Sequence, residues 1–303
     1  SSRISESVTV DFFMQKFEGT KLLLLQVMTT DIGNISKITT NRGVYPLLRL
    51  TTVSSTNDYA IELLRKPDTP SELFIVADHQ TMGKGQMGRS WHTSPGNNLN
   101  LSYIIKNITS APSIFNMAIA LGVLEGIRDC SFIEGVRASD FHIKWPNDIV
   151  LAQVSGVRKI AGILIENSWR GETQTASIVG IGVNLDTRFS TEQVAGFNLM
   201  PGNLNDYLSE NLSALNMELP IINSIQNRIH MLSTDKGDEI ILEDFNKELF
   251  GLNSERLYTI DNKPFKGALL GIEKDGRGVF SRVDRENLKA QSSSVVWSFK
   301  GKV

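Results

Sequence analysis

Residues 141–184 read FHIKWPNDIVLAQVSGVRKIAGILIENSWRGETQTASIVGIGVN. Residues 141–144, 148–151, 159–165 and 173–183 are runs rich in apolar and β-branched side chains, separated by short turn-forming segments. No helix-length periodicity lies between them, and a parallel crossover needs roughly a dozen residues or more. The stretch therefore predicts antiparallel pairing rather than a doubly wound sheet.

Upstream, residues 99–105, 73–78 and 47–53 read as further strands. Ser54, Ser55 and Thr56 offer oxygens to cap a helix carrying Ile61, Leu63 and Leu64, and Ser113 is expected to cap an amphipathic helix with Ile114, Met117, Ala118, Leu121 and Leu124 on one face. Downstream, helical spacing returns at Leu204, Leu208 and Leu215, then at Ile221, Ile222, Ile225, Ile229 and Leu232, and again over residues 239–249. From about Leu252 the pattern changes to short strands at 265–272, 278–283 and 295–299, with a Lys274-Asp275-Gly276 turn. The predicted fold is α+β: a mixed, largely antiparallel sheet with packed helices, followed by a small β-barrel. The corresponding division is an N-terminal extension of unclear role (1–46), a main domain (47–251) and a small β domain (252–303) that leans on it.

The chain has 303 residues, 31 Lys and Arg against 33 Asp and Glu, and a formal charge of −2. With 41% apolar and 21% charged residues, wholesale disorder and collagen-like structure are excluded. So balanced a charge gives no general reason to bind nucleic acid or anionic lipid; any cationic site must be local. Cys130 is the only cysteine, which excludes an internal disulfide, a Cys-rich zinc site and a Cys-x-x-Cys redox pair, and points to a reducing compartment. Residues 1–46 hold an apolar patch (Phe12, Phe13, Phe17 and residues 22–25) but no helix-turn-helix pattern, so no nucleic-acid partner is expected. The run at 22–25 falls far short of the ~20 residues that span a bilayer, so a soluble protein with no membrane partner is expected. The expected location is cytoplasmic, or an organelle matrix if a targeting segment preceded Ser1.

Five motifs carry the chemistry: Ser55-Thr56-Asn57; QTMGKGQMGRSW at 80–91, followed by SPGNNLNLS; Lys144-Trp145-Pro146-Asn147-Asp148; KIAGIL at 159–164; and Gly180-Ile181-Gly182-Val183-Asn184. Gly83, Gly85 and Gly88 let backbone amides approach an anion, while Lys84 and Arg89 supply positive charge for a phosphate. An isolated glycine cluster reads first as a solvated surface loop, and Trp91 with the Ser94-Pro95-Gly96 turn shifts the balance toward a phosphate site. Trp91 beside it offers a flat ring for stacking, or a core side chain. Pro146 bends the chain and presents Asn147 and Asp148 at a sheet edge, where an ordinary turn is the plain alternative. Lys159 lies in an apolar strand: facing inward it needs an anionic partner, facing outward it does not.

Together and in this order the motifs resemble the biotin protein ligases, or holocarboxylase synthetases. The resemblance implies a class II synthetase-like catalytic domain with an SH3-like C-terminal barrel. It also implies a two-step reaction. Biotin and MgATP give biotinyl-5′-AMP, and a lysine of the biotin carboxyl carrier domain of a biotin-dependent carboxylase then takes the biotinyl group. On this reading Lys159, Asp148, Arg89 and Lys84 are catalytic. Ser55, Thr56, Asn57, Gln80, Gly83, Lys84, Gly85, Gln86, Lys159 and Gly162 bind biotin, and Arg89, Trp91, Asn147, Asn184 and Lys159 bind the nucleotide. Magnesium enters with ATP and no tightly held metal is expected. Both steps need charge stabilisation more than a protein nucleophile, and the scattered His79, His92, His142 and His230 form no triad.

The loop departs from the family's frequent Gly-Arg-Gly-Arg-x-Gly-Arg. Lys84 keeps charge without bidentate geometry, and Gln86, followed by Met87, loses the charge, which bears on how tightly the adenylate is held. The alternatives are a lipoate or octanoate ligase of the same fold, whose usual Arg-x-x-Gly-Gly-Gly loop is absent, and a non-catalytic regulator that senses biotinyl-adenylate. The oligomeric state stays open.

Overall fold

The computed structural model describes residues 34–282 and 286–299. The apolar patch at 12–25 and the end of the 278–283 run therefore lie outside the described residues. In chain order the elements are β1 (Asn34–Thr40), β2 (Gly43–Val53), α1 (Thr56–Leu64), β3 (Glu72–Gln80), β4 (Asn98–Lys106), α2 (Pro112–Arg128), β5 (Phe141–Lys144), β6 (Asp148–Gln153), β7 (Gly156–Arg170) and β8 (Thr173–Asn184). Then follow α3 (Thr191–Gly196), α4 (Ala214–Leu232), α5 (Gly237–Lys247), β9 (Glu255–Ile260), β10 (Lys263–Ile272), β11 (Gly278–Phe280), β12 (Leu288–Ala290) and β13 (Val295–Trp297).

Strands β1 to β8 form one sheet in the order β1-β2-β3-β4-β8-β7-β6-β5. As the spacing predicts, β5, β6, β7 and β8 are successive antiparallel neighbours; only β2 and β3, joined through α1, pair in parallel. Residues 34–46, grouped above with the N-terminal extension, instead form β1 and the start of β2. The polar composition hid their alternation, in which Ile38 and Tyr45 pack on the core and Tyr45 meets Phe74 edge to face at 5.8 Å.

One face of the sheet is covered by α2 and α4, and α5 packs on these two helices and on β10 of the tail. α2 is apolar nearly all round because α4 and the sheet enclose it, and α4 shows a single stripe of Met217, Ile221, Ile222 and Ile225. Ser113 does not cap α2: Ala111 holds that position with Pro112 in the first turn, and the Ser113 hydroxyl donates to the Lys274 carbonyl of the C-terminal domain at 2.6 Å. Nor is there a helix through Leu204 and Leu208; a 3-10 turn spans Leu204–Tyr207, and the true helix starts at the Ser213–Asn216 capping box. The opposite face carries α1, whose Ala60 and Leu63 close a second apolar cluster with Leu50, Ile75, Ile104 and Ile178.

The tail is a curled five-stranded antiparallel half-barrel in the order β12-β11-β10-β9-β13. Its Tyr258, Leu269, Phe280 and Trp297 belong to the same buried cluster as Ile143, Trp145 and Phe250, so it shares a core with the main domain. No helix among the described residues is long and apolar enough to cross a membrane.

Close approach of α2 and α4 depends on glycine. A Cβ at Gly122 would sit 2.6 Å from the Ile225 Cα, and one at Gly126 2.8 Å from the Ile221 Cα. Helix propensity alone would favour Gly122→Ala by about 1 kcal/mol. Forcing two packed backbones apart costs ~1–3 kcal/mol. The expected outcome is a net loss, read as a lower urea midpoint at unchanged slope.

Candidate active site

Side chains on one face of a sheet recur every second residue. On the face that carries α1, β4 presents Ile104, Ser102 and Asn100, and β8 presents Ile178, Gly180 and Gly182. Ile104 and Ile178 lie under α1. Past the helix N-terminus the rows shrink to Ser102, Asn100, Gly180, Gly182 and, on β7, Gly162. A cleft of about 690 Å³ opens there, walled by the α1 N-terminus, the glycine loop, the 144–148 turn and β13.

The helix end is a buried polar network. Ser55 caps α1 by accepting from the Asp58 amide. The Thr56 amide and hydroxyl donate to Gln80 Oε1 at 2.7 and 3.0 Å, and Gln80 Nε2 donates to Asn100 Oδ1 at 3.2 Å. Ser102 Oγ lies 2.6 Å from Asn57 Oδ1 and 2.8 Å from Thr56 Oγ1. Asn57 Nδ2 donates to Glu166 Oε2 at 2.7 Å and to the Leu164 carbonyl at 3.4 Å. Both amide protons of Asn57 are thus engaged, and what it offers a ligand is its oxygen. A network satisfied in this way locks its rotamers. Asn100 and Ser102, which fall within the quoted SPGNNLNLS, and Glu166 carry roles that the sequence motifs did not assign. The signal for the first two was Asn98, Asn100 and Ser102 alternating through an otherwise apolar strand.

The glycine loop is a short hairpin. Lys84 and Ser90 form an isolated antiparallel bridge, and the amides of Gly85, Arg89 and Trp91 donate to the carbonyls of Arg89, Gln86 and Gly83. Met87 and Gly88 turn at positive φ (55° and 73°), which leaves Gln86, Met87 and Arg89 exposed at the tip. Lys84 Nζ reaches Asp58 Oδ1 at 2.5 Å in the first turn of α1, and the hydrogen bond to Asp58 is the main reason its pKa is raised. Gly83 does not line this cleft: it lies at the hairpin neck, where a Cβ would meet the Trp91 carbonyl at 2.5 Å. The Trp91 indole lies across the cleft floor. A Cβ at Gly182 would overlap it and one at Gly162 would stand 3.0 Å from Cζ3, while its buried Nε1 has no hydrogen-bond partner.

Opposite the loop stands Lys159. A bulge in the β6–β7 ladder (Ile149 opposite Ala161, Val150 opposite Lys159) leaves Ile160 unpaired and re-aims the lysine. Its backbone is clamped by Lys159 N donating to the Met200 carbonyl at 2.8 Å and Gly202 N donating to the Lys159 carbonyl at 2.9 Å. Asn184 Nδ2 reaches the same carbonyl at 3.4 Å. Lys159 Nζ lies 2.6 Å from Asp148 Oδ1 and 5.5 Å from the Trp91 ring centre, while Lys144 Nζ lies 3.1 Å from Asp148 Oδ2. Burial pushes the Asp148 carboxyl up, but the charges of Lys159 and Lys144 and their hydrogen bonds override it and hold the pKa at about 2. The strand lysine therefore faces inward, with the anionic partner that burial demands. Asn147 is held over β7 rather than at a free edge: its Nδ2 donates to the Ile163 carbonyl, and its own carbonyl accepts from the Ile163 amide at 3.0 Å.

Apart from Gly83, every residue assigned above to biotin, nucleotide or catalysis lines this one cleft. Lys144, Ser292, Val295 and Trp297 line it as well, so the tail forms one wall. His79 Nδ1 lies 3.2 Å from Thr93 Oγ1, and His92 Nδ1 lies 2.9 Å from Gln193 Nε2. Among the described residues no group of three or more His, Cys, Asp or Glu is placed to hold a metal ion.

Residues 50–184 match the model of the biotin/lipoate A/B protein ligase family. The bifunctional ligase/repressor BirA of Escherichia coli is 30% identical over 244 residues, covering 75% of this chain and 69% of the relative. BirA of Bacillus subtilis is 34% identical over 137 residues, covering 44% of this chain and 38% of the relative, so that match spans well under half of its length. The Aquifex aeolicus biotin protein ligase, solved with biotin and ATP, superposes with a TM-score of 0.65 at 21% identity, over 82% of this chain and 97% of that one. At that identity the likeness is one of fold.

A carboxyl whose folded pKa lies below its ordinary value stabilises the fold above the ordinary value and loses that contribution as pH falls toward the folded one. For Asp148 the window runs from 3.8 down to about 2. The stability difference between wild type and Asp148→Asn, from urea melts across pH 2–6, should be constant above about pH 5 and shrink toward the acid end.

Proposed function

The chain belongs to the biotin protein ligase family, and on that footing we propose that it activates biotin with MgATP and transfers it to a lysine of a carboxylase carrier domain. The observation that carries this reading is the Lys159 ammonium, held in the cleft between the Trp91 ring and an ionised Asp148.

In the first step a biotin carboxylate oxygen attacks the α-phosphorus of ATP, and the bond to the β-phosphate bridge breaks to release pyrophosphate. Charge grows on the phosphoryl oxygens, and fixed cations stabilise it most where water is excluded. Lys159 meets the carboxylate and the developing acyl phosphate. Lys84 and Arg89 approach from the loop side, and the Trp91 and Gly162 surface receives flat groups. Magnesium arrives on the ATP phosphates and lowers their charge. Thr56, Asn57 and Gln80, fixed by their network, offer polar contacts to the biotin head group at the end of α1. In the second step the neutral acceptor amine attacks the acyl carbon, the bond to the phosphate oxygen breaks to release AMP, and the proton that the amine nitrogen sheds passes to solvent. With a pKa of about 2, Asp148 is a poor base at neutral pH. Its part is to accept a hydrogen bond from the incoming amine and so orient it.

Exchange of labelled pyrophosphate into ATP tests the reading. Exchange that depends on biotin supports it; exchange that depends on lipoate or octanoate instead would replace it with the sister activity. Lys159→Ala should lower the exchange rate on the order of 10²-fold or more, as loss of an electrostatic catalyst does, with an unchanged circular dichroism spectrum.

The half-reactions separate at Asp148. Asp148→Asn should slow transfer to an acceptor carrier domain more than it slows adenylate formation, measured as the ratio of the two single-turnover rates. Equal loss in both would assign Asp148 to ground-state structure.

A further inference from the structure

Asp148 divides its two oxygens between two lysines. Lys159 Nζ takes Oδ1 at 2.6 Å from β7, and Lys144 Nζ takes Oδ2 at 3.1 Å from β5. The two lysines are not equivalent. The Lys159 side chain is 29% exposed toward the cleft, whereas that of Lys144 is 14% exposed, as buried as Asp148 itself. Lys144 is held in place: it ends β5 directly opposite Asp148 in the ladder, and its ammonium lies 5.9 Å from the centre of the Trp297 ring of β13. The charges that face Asp148 are these two, one from β5 and one from β7.

For Lys159 to meet a substrate carboxylate it must loosen its hold on Asp148. Were it the sole partner, that move would strand a buried anion, and stranding a buried charge costs far more than a surface pair is worth. We propose that Lys144 is a positioning residue that keeps Asp148 compensated while Lys159 turns to the substrate, so that Lys159 changes partners without leaving a bare buried charge. It touches neither substrate nor reacting atoms and acts through Asp148. The inference rests on the adenylation reading for its kinetic consequence, but its electrostatic core concerns the unliganded protein.

The kinetic test is a double-mutant cycle read by biotin-dependent pyrophosphate exchange. Lys144→Met, of similar length and without charge, should raise the KM for biotin about tenfold with a smaller change in kcat, because Asp148 then holds Lys159 against the substrate. Lys144→Arg should stay near wild type. Adding Asp148→Asn to Lys144→Met should restore the KM, since Lys159 no longer has a buried anion to abandon; additive losses would overturn the proposal.

The second test needs no activity. In Lys159→Met, Asp148 followed by carbon NMR of its carboxyl should remain ionised at pH 7 on Lys144 alone, and in Lys159→Met/Lys144→Met its pKa should rise sharply. A neutral Asp148 in the single variant would overturn the proposal, and this variant decides the matter if Lys144→Met does not fold. Absence of biotin-dependent exchange in the wild type would overturn the adenylation reading alone and leave this titration to judge Lys144.

Discussion

A carboxylate enclosed by protein must be balanced by positive charge, and around Asp148 that requirement organises the active cleft. It draws Lys144 from β5 and Lys159 from β7 to one point, 3.1 and 2.6 Å from its oxygens, and ties both to the turn between β5 and β6. The β6–β7 bulge at Ile160 then has a clear purpose. Without it Lys159 would follow strict alternation, and its ammonium would not be aimed between Asp148 and the Trp91 ring.

The second constraint is space. A sheet packed on both faces has no room for a ligand unless side chains shrink, and here they do so beyond the N-terminal end of α1. Gly162 and Gly182 leave a trough that the Trp91 indole partly fills, while Ser102 and Asn100 turn the neighbouring strand polar. The helix end brings Thr56 and Asn57 to this boundary, and Gln80 and Glu166 complete their hydrogen bonds. The polar network and the trough therefore follow from one change in residue size along adjacent strands. The tail enters by the same logic of enclosure: Trp297 is buried in the shared core, lines the cleft and faces Lys144, so the half-barrel is part of the site's wall.

Much of this was legible in the chain itself. The antiparallel run over residues 141–184 followed from apolar strands with gaps too short for crossovers, and the five motifs named the cleft residues in order. Local signals failed where tertiary contacts override them. Ser113 has the chemistry of a cap but spends its hydroxyl on the Lys274 carbonyl. Leu204 and Leu208 have helical spacing, yet Asn205 between them donates through Nδ2 to Asp186 and to the Leu212 carbonyl, contacts that suit a tight turn.

What the sequence determined by itself was the periodicity of each element and the types of residue at each motif, because both depend on neighbours a few positions apart. Partnership was decided only by the tertiary structure. Nothing local pairs Lys84 with Asp58, Asn57 with Glu166 or Lys159 with Asp148, because these contacts join separate strands and loops; Lys144 and Asp148 are only four residues apart, but that the same carboxylate is also shared with Lys159 is a tertiary fact. Burial then decides what the pairing means: the same Asp and Lys residues on an open surface would be screened and nearly independent, whereas inside the cleft each sets the charge and direction of the other.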